Sequence, residues 1–143
     1  MASEARIGTA GWSIPVKDAP GFPDEGTSLG RYASRFGCAE INSSFHRSHR
    51  PGTYEHWRDA VPEDFRFSVK LAKTITHKQK LVGADELIDA FFQEISGLGA
   101  KAAVILIQLP PSLAFDIAVA EPFFDRVRRS TEASLVCEPR HAS

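Results

Sequence analysis

The segment from Ala102 to Leu109 constrains the fold of this chain more than any other, because it is apolar on both faces. Its residues read Ala-Ala-Val-Ile-Leu-Ile-Gln-Leu, and Pro110-Pro111 ends the run. A strand of an antiparallel sheet commonly keeps one polar face, whereas a strand of a parallel sheet is covered on both faces. The segment therefore predicts a buried strand in a parallel sheet.

Helix-like and strand-like segments alternate along the whole chain. Apolar residues at spacings of three and four predict helices over residues 29–36, 54–61, 85–98 and 117–127. Strands are predicted over residues 6–12, 38–45, 65–71, 102–109 and 135–138. Thr27 or Ser28 is expected to cap the first helix. Alternation of this kind indicates a parallel α/β sheet with right-handed crossovers.

Two architectures fit this pattern: an open, doubly wound five-stranded sheet, and part of a (β/α)8 barrel. The length of 143 residues suits the open sheet. However, the sequence has no Gly-x-Gly-x-x-Gly and no phosphate-binding loop ending in Lys-Ser/Thr, so the usual signals of nucleotide binding are missing. Polar residues cluster near the ends of predicted strands two to five, which is typical of a barrel built around a site.

The predicted second strand has a polar side chain at every second position: Glu40, Asn42 and Ser44. Successive side chains of a strand point to opposite faces, so we expect these three to lie on one face. A carboxylate, an amide and a hydroxyl on one face of a strand between two helices favour a ligand site.

Composition limits the class of partner only weakly. The net charge is −1, with 43% hydrophobic and 24% charged residues, so the chain has no general attraction to nucleic acid or acidic membranes. No apolar run approaches the roughly 20 residues needed to cross a bilayer. Cys38 and Cys137 are expected to be buried free thiols rather than a disulfide, which favours a cytoplasmic protein.

Six short motifs occur in order along the chain, and together they resemble one family over nearly its whole length. They are Gly8-Thr9-Ala10-Gly11-Trp12, Glu40-Ile41-Asn42-Ser43-Ser44-Phe45, Phe65-Arg66-Phe67-Ser68-Val69-Lys70, Ile75-Thr76-His77, Gln108-Leu109-Pro110-Pro111-Ser112 and Glu138-Pro139-Arg140-His141. The family is DUF72, also called YecE-like. The resemblance implies a TIM barrel, in a family with no settled biochemical function.

A TIM barrel has eight βα units and about 250 residues. The resemblance therefore implies that residues 1–143 are the N-terminal part of a single barrel domain, a truncated barrel with about five strands and four helices. Unpaired strand edges and uncovered apolar faces are expected to favour self-association. A half-barrel that dimerises is the alternative interpretation.

The loops after the strands form the active face of a parallel barrel, so the polar residues at the strand ends form the candidate site. The predicted catalytic residues are Glu40, Lys70, His77 and Glu138, which combine acid–base groups with a cation that stabilises negative charge. The predicted substrate-binding residues are Trp12, Asn42, Ser44, Thr76, Gln108, Arg140 and His141. These side chains favour a small polar or anionic substrate and hydrolase, lyase or isomerase chemistry.

Two alternatives apply to the same residues. Glu40, Lys70, Glu138 and Arg140 are also the set expected in a buried ion-pair layer that fixes the register of the strands. Trp12 either stacks on a substrate ring at the barrel mouth or packs in the core.

A divalent metal is a weaker hypothesis for the same site. Glu138 and His141 are three residues apart, and His77 is expected near them. A mixed Glu/His set suits zinc, manganese or iron. No spacing here is a diagnostic ligand signature, so no metal ligand is assigned.

The segment His46-Arg47-Ser48-His49-Arg50, called the basic loop below, carries a second functional hypothesis. A non-catalytic binding or scaffold protein would use it to contact phosphate or a nucleic-acid backbone. At a net charge of −1 a solvated loop is the favoured interpretation, and nucleic acid is a disfavoured partner.

Overall fold

Five parallel strands form one sheet in the computed structural model, which describes residues 4–143; residues 1–3 of the predicted domain lie outside the described range. The strands are β1 (Gly8–Ala10), β2 (Cys38–Ile41), β3 (Arg66–Lys70), β4 (Ala102–Gln108) and β5 (Ser134–Glu138). Their order in the sheet is their order in the chain. Within residues 4–143, β1 and β5 each pair with one neighbour, so the sheet is not closed.

Helices connect the strands, as the alternating pattern predicts. They are α1 (Ser28–Ala33), α2 (Ser43–His46), α3 (Pro51–Asp59), α4 (Asp85–Ile95) and α5 (Ile117–Arg128), with 3₁₀-helices at Val16–Gly21 and Ser96–Lys101 and a π-helix at Thr74–Lys78. Thr27 caps α1 as expected, because its Oγ1 accepts a hydrogen bond of 3.0 Å from the Gly30 N–H. None of the helices described in residues 4–143 is long and apolar enough to cross a membrane.

One face of the sheet packs against the helices and holds the core. The buried strand side chains on this face are Ala39, Ile41, Phe67, Val69, Ile105 and Ile107. The helices add large apolar side chains, among them Tyr32 of α1, Tyr54 of α3, Ile88 of α4 and Phe123 of α5. Burial of this apolar surface is the main favourable term in the stability of such a layer.

The opposite side of the sheet is called the open face below. By alternation and register it carries Gly8, Ala10, Cys38, Glu40, Arg66, Ser68, Lys70, Val104, Leu106, Gln108, Ser134, Val136 and Glu138. None of these side chains is buried by the part of the chain that the structure describes. The prediction that β4 is buried on both faces is therefore wrong for the open face. A groove of about 440 Å³ runs along it beside Glu40 and Arg66.

The prediction of a strand over residues 38–45 is wrong beyond Ile41. Asn42 has φ −94° and ψ −22°, which lie outside the extended region, and Ser43 begins α2. The buried hydroxyl of Ser44 lies 2.6 Å from the carbonyl oxygen of Lys70 and 3.0 Å from that of Ile41. These contacts fasten the short helix to the end of β3. Glu40, Asn42 and Ser44 therefore do not share one face of a strand.

Both cysteines are free thiols, as predicted, but neither is buried. Cys38 is half-buried because it lies on the open face. Cys137 is exposed because it lies on the edge strand β5, where no helix of residues 4–143 covers it. The neighbouring atoms still remove part of the water around the Cys137 sulfur, and this partial desolvation raises the pKa of the thiol above its usual value.

Candidate functional site

Phe45 of α2 brings two of the predicted catalytic residues together. The Nζ atom of Lys70, the last residue of β3, lies 4.4 Å from the centroid of the Phe45 ring, a cation–π contact. The His77 ring meets the same phenyl ring edge-on, with centroids 5.0 Å apart and an interplanar angle of 82°. Lys70 and His77 therefore lie on one small aromatic platform at the carboxyl end of β3.

His77 is held on the π-helix in a strongly cationic environment. Its Nδ1 atom lies 2.8 Å from the hydroxyl of Thr76, which is fully buried. Burial lowers the pKa of His77, and the positive charges of Lys70, Arg140 and Lys73 lower this pKa further. The imidazole is therefore neutral at pH 7, which suits a proton acceptor. Turns of π-helix are rare in proteins and recur at functional sites.

Arg140 reaches this cluster from the end of β5, where it pairs with Glu138. The Glu138 Oε1 atom accepts hydrogen bonds from Arg140 Nε at 2.9 Å and Nη2 at 2.8 Å. Gln108 is the register partner of Glu138, so the two side chains neighbour each other on the open face. The carboxyl ends of β3, β4 and β5 thus contribute an ammonium, an amide, a carboxylate and a guanidinium.

Within residues 4–143, the four residues of the alternative interpretation do not form a buried ion-pair layer. Glu138 and Arg140 make the salt bridge, and their side chains are 44% and 47% exposed. Neither Glu40 nor Lys70 forms a salt bridge within residues 4–143. Glu40 lies level with Ser68, two residues before Lys70 on β3, and so sits deeper on the open face than the cationic cluster.

The other predicted site residues have different surroundings. The Trp12 ring packs edge-on against Trp57 and Phe67, with centroids 5.0 and 6.2 Å away, and so faces the helix-covered core. The Ser44 hydroxyl is bonded to backbone, as described above. His141 is exposed, and its Nδ1 atom accepts the Ser143 N–H at 3.1 Å. The Oδ1 atom of Asn42 is buried and has no hydrogen-bond partner within residues 4–143.

Two residues of the cluster were missing from the sequence prediction. Lys73 precedes His77 by four residues, a spacing that places two side chains on one helical face, so it was detectable in principle. Phe45 follows no polar pattern, and nothing in the sequence shows that its ring supports Lys70.

Metal ligands are not grouped in the described part of the chain. Within residues 4–143, no three side chains of His, Cys, Asp or Glu lie close enough together to hold a metal ion.

The basic loop is anchored rather than fully solvated. The Ser48 hydroxyl donates to Oε1 of Glu94 on α4, and the His49 N–H donates to Oε2 at 3.3 Å. Arg47 and Arg50 are exposed and form no salt bridge within residues 4–143. One acidic side chain therefore fixes the loop and leaves its arginines at the surface.

Comparison with known proteins gives consistent results. A profile of the family described as "Protein of unknown function DUF72" matches residues 6–143. The UPF0759 protein YecE of Escherichia coli K12 is 34% identical over 104 residues, which are 73% of this chain and 37% of YecE; YecE of E. coli O157:H7 gives the same values. Two crystal structures of a DUF72 family protein from Enterococcus faecalis V583 share the fold, with TM-scores of 0.71 and 0.74 at 20% identity.

The chain is shorter than these relatives. It covers 51% and 49% of the two E. faecalis chains, while 94% and 92% of its own residues are matched. It thus spans about half the length of that protein and little more than a third of YecE.

Proposed function

The chain belongs to the DUF72 family, and within that family we propose that it is an enzyme that acts on a small anionic substrate by acid–base chemistry. The substrate would bind at the carboxyl ends of β3 and β5. One observation carries the proposal: Lys70, Lys73 and Arg140 place three positive charges around the half-buried His77.

The side chains divide into two roles. Lys70 and Arg140 bind and orient a carboxylate or phosphate, and they stabilise negative charge that develops during the reaction. Glu138 holds the Arg140 guanidinium through Nε and Nη2, which leaves Nη1 free to donate to the substrate. His77, being neutral, accepts a proton from the substrate or from water.

Further groups on the open face extend the site. Gln108 beside Glu138 supplies an amide for a substrate oxygen, and Glu40 supplies a second carboxylate deeper in the groove. Proton transfer next to bound negative charge is common to hydrolysis, elimination and isomerisation, and the proposal covers these three reaction classes.

The sheet is proposed to be the first five strands of a (β/α)8 barrel. Support comes from the sequential order of parallel strands, from the unpaired sides of β1 and β5 in residues 4–143, and from an open face rich in small and polar residues. The same unpaired edges are the proposed route of self-association. An experimental structure of E. coli YecE provides the test, since its strands matching β1–β5 must lie in one closed barrel.

Anion binding is the first test of the enzymatic proposal. Inorganic phosphate is titrated into the chain while NMR follows the ring protons of His77, and we expect a saturable shift. Lys70→Met is expected to weaken binding by about tenfold or more, the equivalent of one lost charge-assisted contact. Lys78→Met is the matched control, because Lys78 is exposed on the same π-helix and is not among the charges acting on His77. Equal binding by the two variants would contradict the proposal.

Turnover is the second test. His77→Gln should keep phosphate binding but lose turnover of phosphate monoesters or carboxylate substrates. If His77→Gln keeps both phosphate binding and turnover, His77 has no catalytic role and that assignment is refuted.

A second candidate function rests on the basic loop. Because Glu94 anchors Ser48 and His49, the exposed Arg47 and Arg50 are presented on a fixed surface. This arrangement suits a non-catalytic contact with an anionic partner. Heparin is a suitable probe: salt-sensitive binding that disappears in the double variant Arg47→Ala and Arg50→Ala would support this candidate, and unchanged binding would exclude it.

A further inference from the structure

A serine and a histidine form a close pair outside the cationic cluster. Ser43 is the first residue of α2, two residues after the carboxyl end of β2, and its Oγ atom lies 2.8 Å from Nε2 of His49. This is the distance at which a nucleophilic hydroxyl and its general base are found in enzymes. The carboxyl end of the strands is also the face on which parallel α/β proteins build their sites.

The His49 imidazole is fixed by its neighbours. Its ring meets the rings of Tyr54 and Trp57 edge-on, with centroids 5.7 and 5.2 Å away. Its backbone N–H is bonded to Glu94, which anchors the loop from α4. Burial lowers the pKa of His49 and the charge of Arg47 lowers it further, while Glu94 opposes them. The ring is therefore neutral near pH 7, the form that accepts a proton.

Two residues next to this pair carry unpaired polar groups. Within residues 4–143, two buried side-chain oxygens lack a hydrogen-bond partner: Asn42 Oδ1 and the Tyr54 hydroxyl. Asn42 directly precedes Ser43, and the Tyr54 ring packs on His49. Folded proteins rarely leave such groups unpaired, and a catalytic role is one reason for them. Because the oxygen and nitrogen of an amide exchange places by a flip, Asn42 can also present its NH₂ group here.

We propose that Ser43 and His49 are a nucleophile–base pair that hydrolyses a small carboxylic ester. Ser43 Oγ attacks the ester carbonyl, and His49 Nε2 takes the hydroxyl proton. Asn42 donates to the oxyanion, and the protonated His49 returns its proton to the departing alkoxide, which leaves as the alcohol. Water then attacks the acyl-Ser43 ester while His49 accepts its proton. Collapse of the intermediate breaks the bond to Ser43 Oγ and releases the carboxylic acid, and His49 returns the proton to Ser43 Oγ.

The Ser43–His49 pair is separate from the anion site and does not depend on it. The two sites use different side chains, although α2 contacts both: Ser43 begins this helix, and Phe45 on it supports Lys70. Loss of phosphate binding in Lys70→Met therefore leaves the Ser43 reaction intact, and loss of the Ser43 reaction leaves phosphate binding intact.

A fluorophosphonate probe tests the pair directly. Attack by Ser43 Oγ on phosphorus forms the O–P bond and expels fluoride, with the proton passing to His49. Mass spectrometry of peptides should locate one adduct on Ser43, and Ser43→Ala should give none. His49→Gln should slow labelling by about 100-fold or more, the usual contribution of a general base. His56→Gln is the control, because His56 is exposed on α3 and should label at the wild-type rate.

The pH dependence of labelling is a second test, which remains valid if His49→Gln disturbs the loop. In the unaltered chain, the labelling rate should rise with pH and level off at a midpoint below 6.5, the ordinary value from which the pKa of His49 is lowered. An absent adduct, an adduct on another serine, or a rate that rises only above pH 8 would overturn the proposal.

Discussion

Tyr32 and Tyr54 are both buried tyrosines, yet their hydroxyl groups have opposite surroundings. Their side chains are 2% and 0% exposed. The Tyr32 hydroxyl accepts the Thr9 N–H at 2.8 Å and donates to the Cys38 carbonyl at 2.9 Å, so it fastens edge strand β1 and the start of β2 to α1. The Tyr54 hydroxyl has no partner within residues 4–143. Replacing each tyrosine with phenylalanine removes one oxygen and keeps the ring.

Tyr32→Phe is expected to reduce the free energy of unfolding by about 2 kcal/mol. Two hydrogen bonds are lost, and each contributes about 1 kcal/mol net. The nearby Thr9 hydroxyl, 3.1 Å from the Tyr32 oxygen, adds little to this loss because it lies 2.7 Å from the Gly11 carbonyl and keeps that partner. For a domain of this size the melting temperature should fall by about 4–8 °C.

Tyr54→Phe is the matched comparison. Removal of a buried hydroxyl without a partner relieves a desolvation cost of about 1 kcal/mol or more, so the variant should be as stable as the unaltered chain or more stable. The burial and nearby Glu94 that raise the pKa of Tyr54 are consistent with a hydroxyl held away from water.

Equilibrium unfolding in urea measures both changes, provided that the slope of free energy against denaturant is the same for all three proteins. The two variants are expected to differ in free energy of unfolding by about 2–3 kcal/mol. Equal destabilisation by the two substitutions would refute this expectation, because the Tyr54 hydroxyl would then have a partner as good as those of Tyr32.

Further substitutions test the packing and the electrostatics. A Cβ atom on Gly97 would lie 2.8 Å from the Pro51 carbonyl oxygen, so Gly97→Ala should cost about 1–3 kcal/mol in urea unfolding, whereas Gly52→Ala, with nothing within 4 Å, should cost nothing. NMR should find the pKa of His77 below 6.5, and Lys70→Met should raise it without restoring 6.5, because burial is the larger cause. As the pH drops, His77 is protonated in the unfolded chain before it is protonated in the folded chain. The free energy of unfolding should therefore fall between pH 6.5 and the folded pKa, and His77→Gln should reduce the slope of this free energy against pH. An unchanged slope would contradict the lowered pKa.

The regular parts of the fold were predictable because local pattern and tertiary environment agree there. The apolar run of β4 spans Ala102–Gln108 against a predicted 102–109, and α5 begins at Ile117 as its periodic apolar residues indicate. A Cβ atom on Gly8 of β1 would lie 2.1 Å from the Cys38 carbonyl oxygen, so the close approach of β1 and β2 requires glycine at this position.

The end of β2 was not predictable because distant contacts decide it. Polar residues at alternate positions continue to Ser44, but the Ser44 hydroxyl bonds the carbonyl of Lys70, 26 residues away, and this contact favours a helical turn. The Ser43–His49 pair depends likewise on Glu94, 45 residues beyond His49, which holds the loop. Most residues around His77, by contrast, lie at or just after the ends of strands. The sequence shows those positions, so most of that cluster was predicted.

The strand order has a consequence for how the protein is made. Gly8 pairs with Cys38, and Val104 pairs with Ser134, thirty residues further along in each case. Each of the strands β2–β5 therefore pairs with the strand immediately before it in the chain. This pairing does not require a segment that is synthesised later. A separation of thirty residues is still non-local, so each pairing of parallel strands is slow compared with the formation of a helix. During synthesis on the ribosome, each new strand can join an edge that is already formed, so the sheet can grow by one strand and one helix at a time.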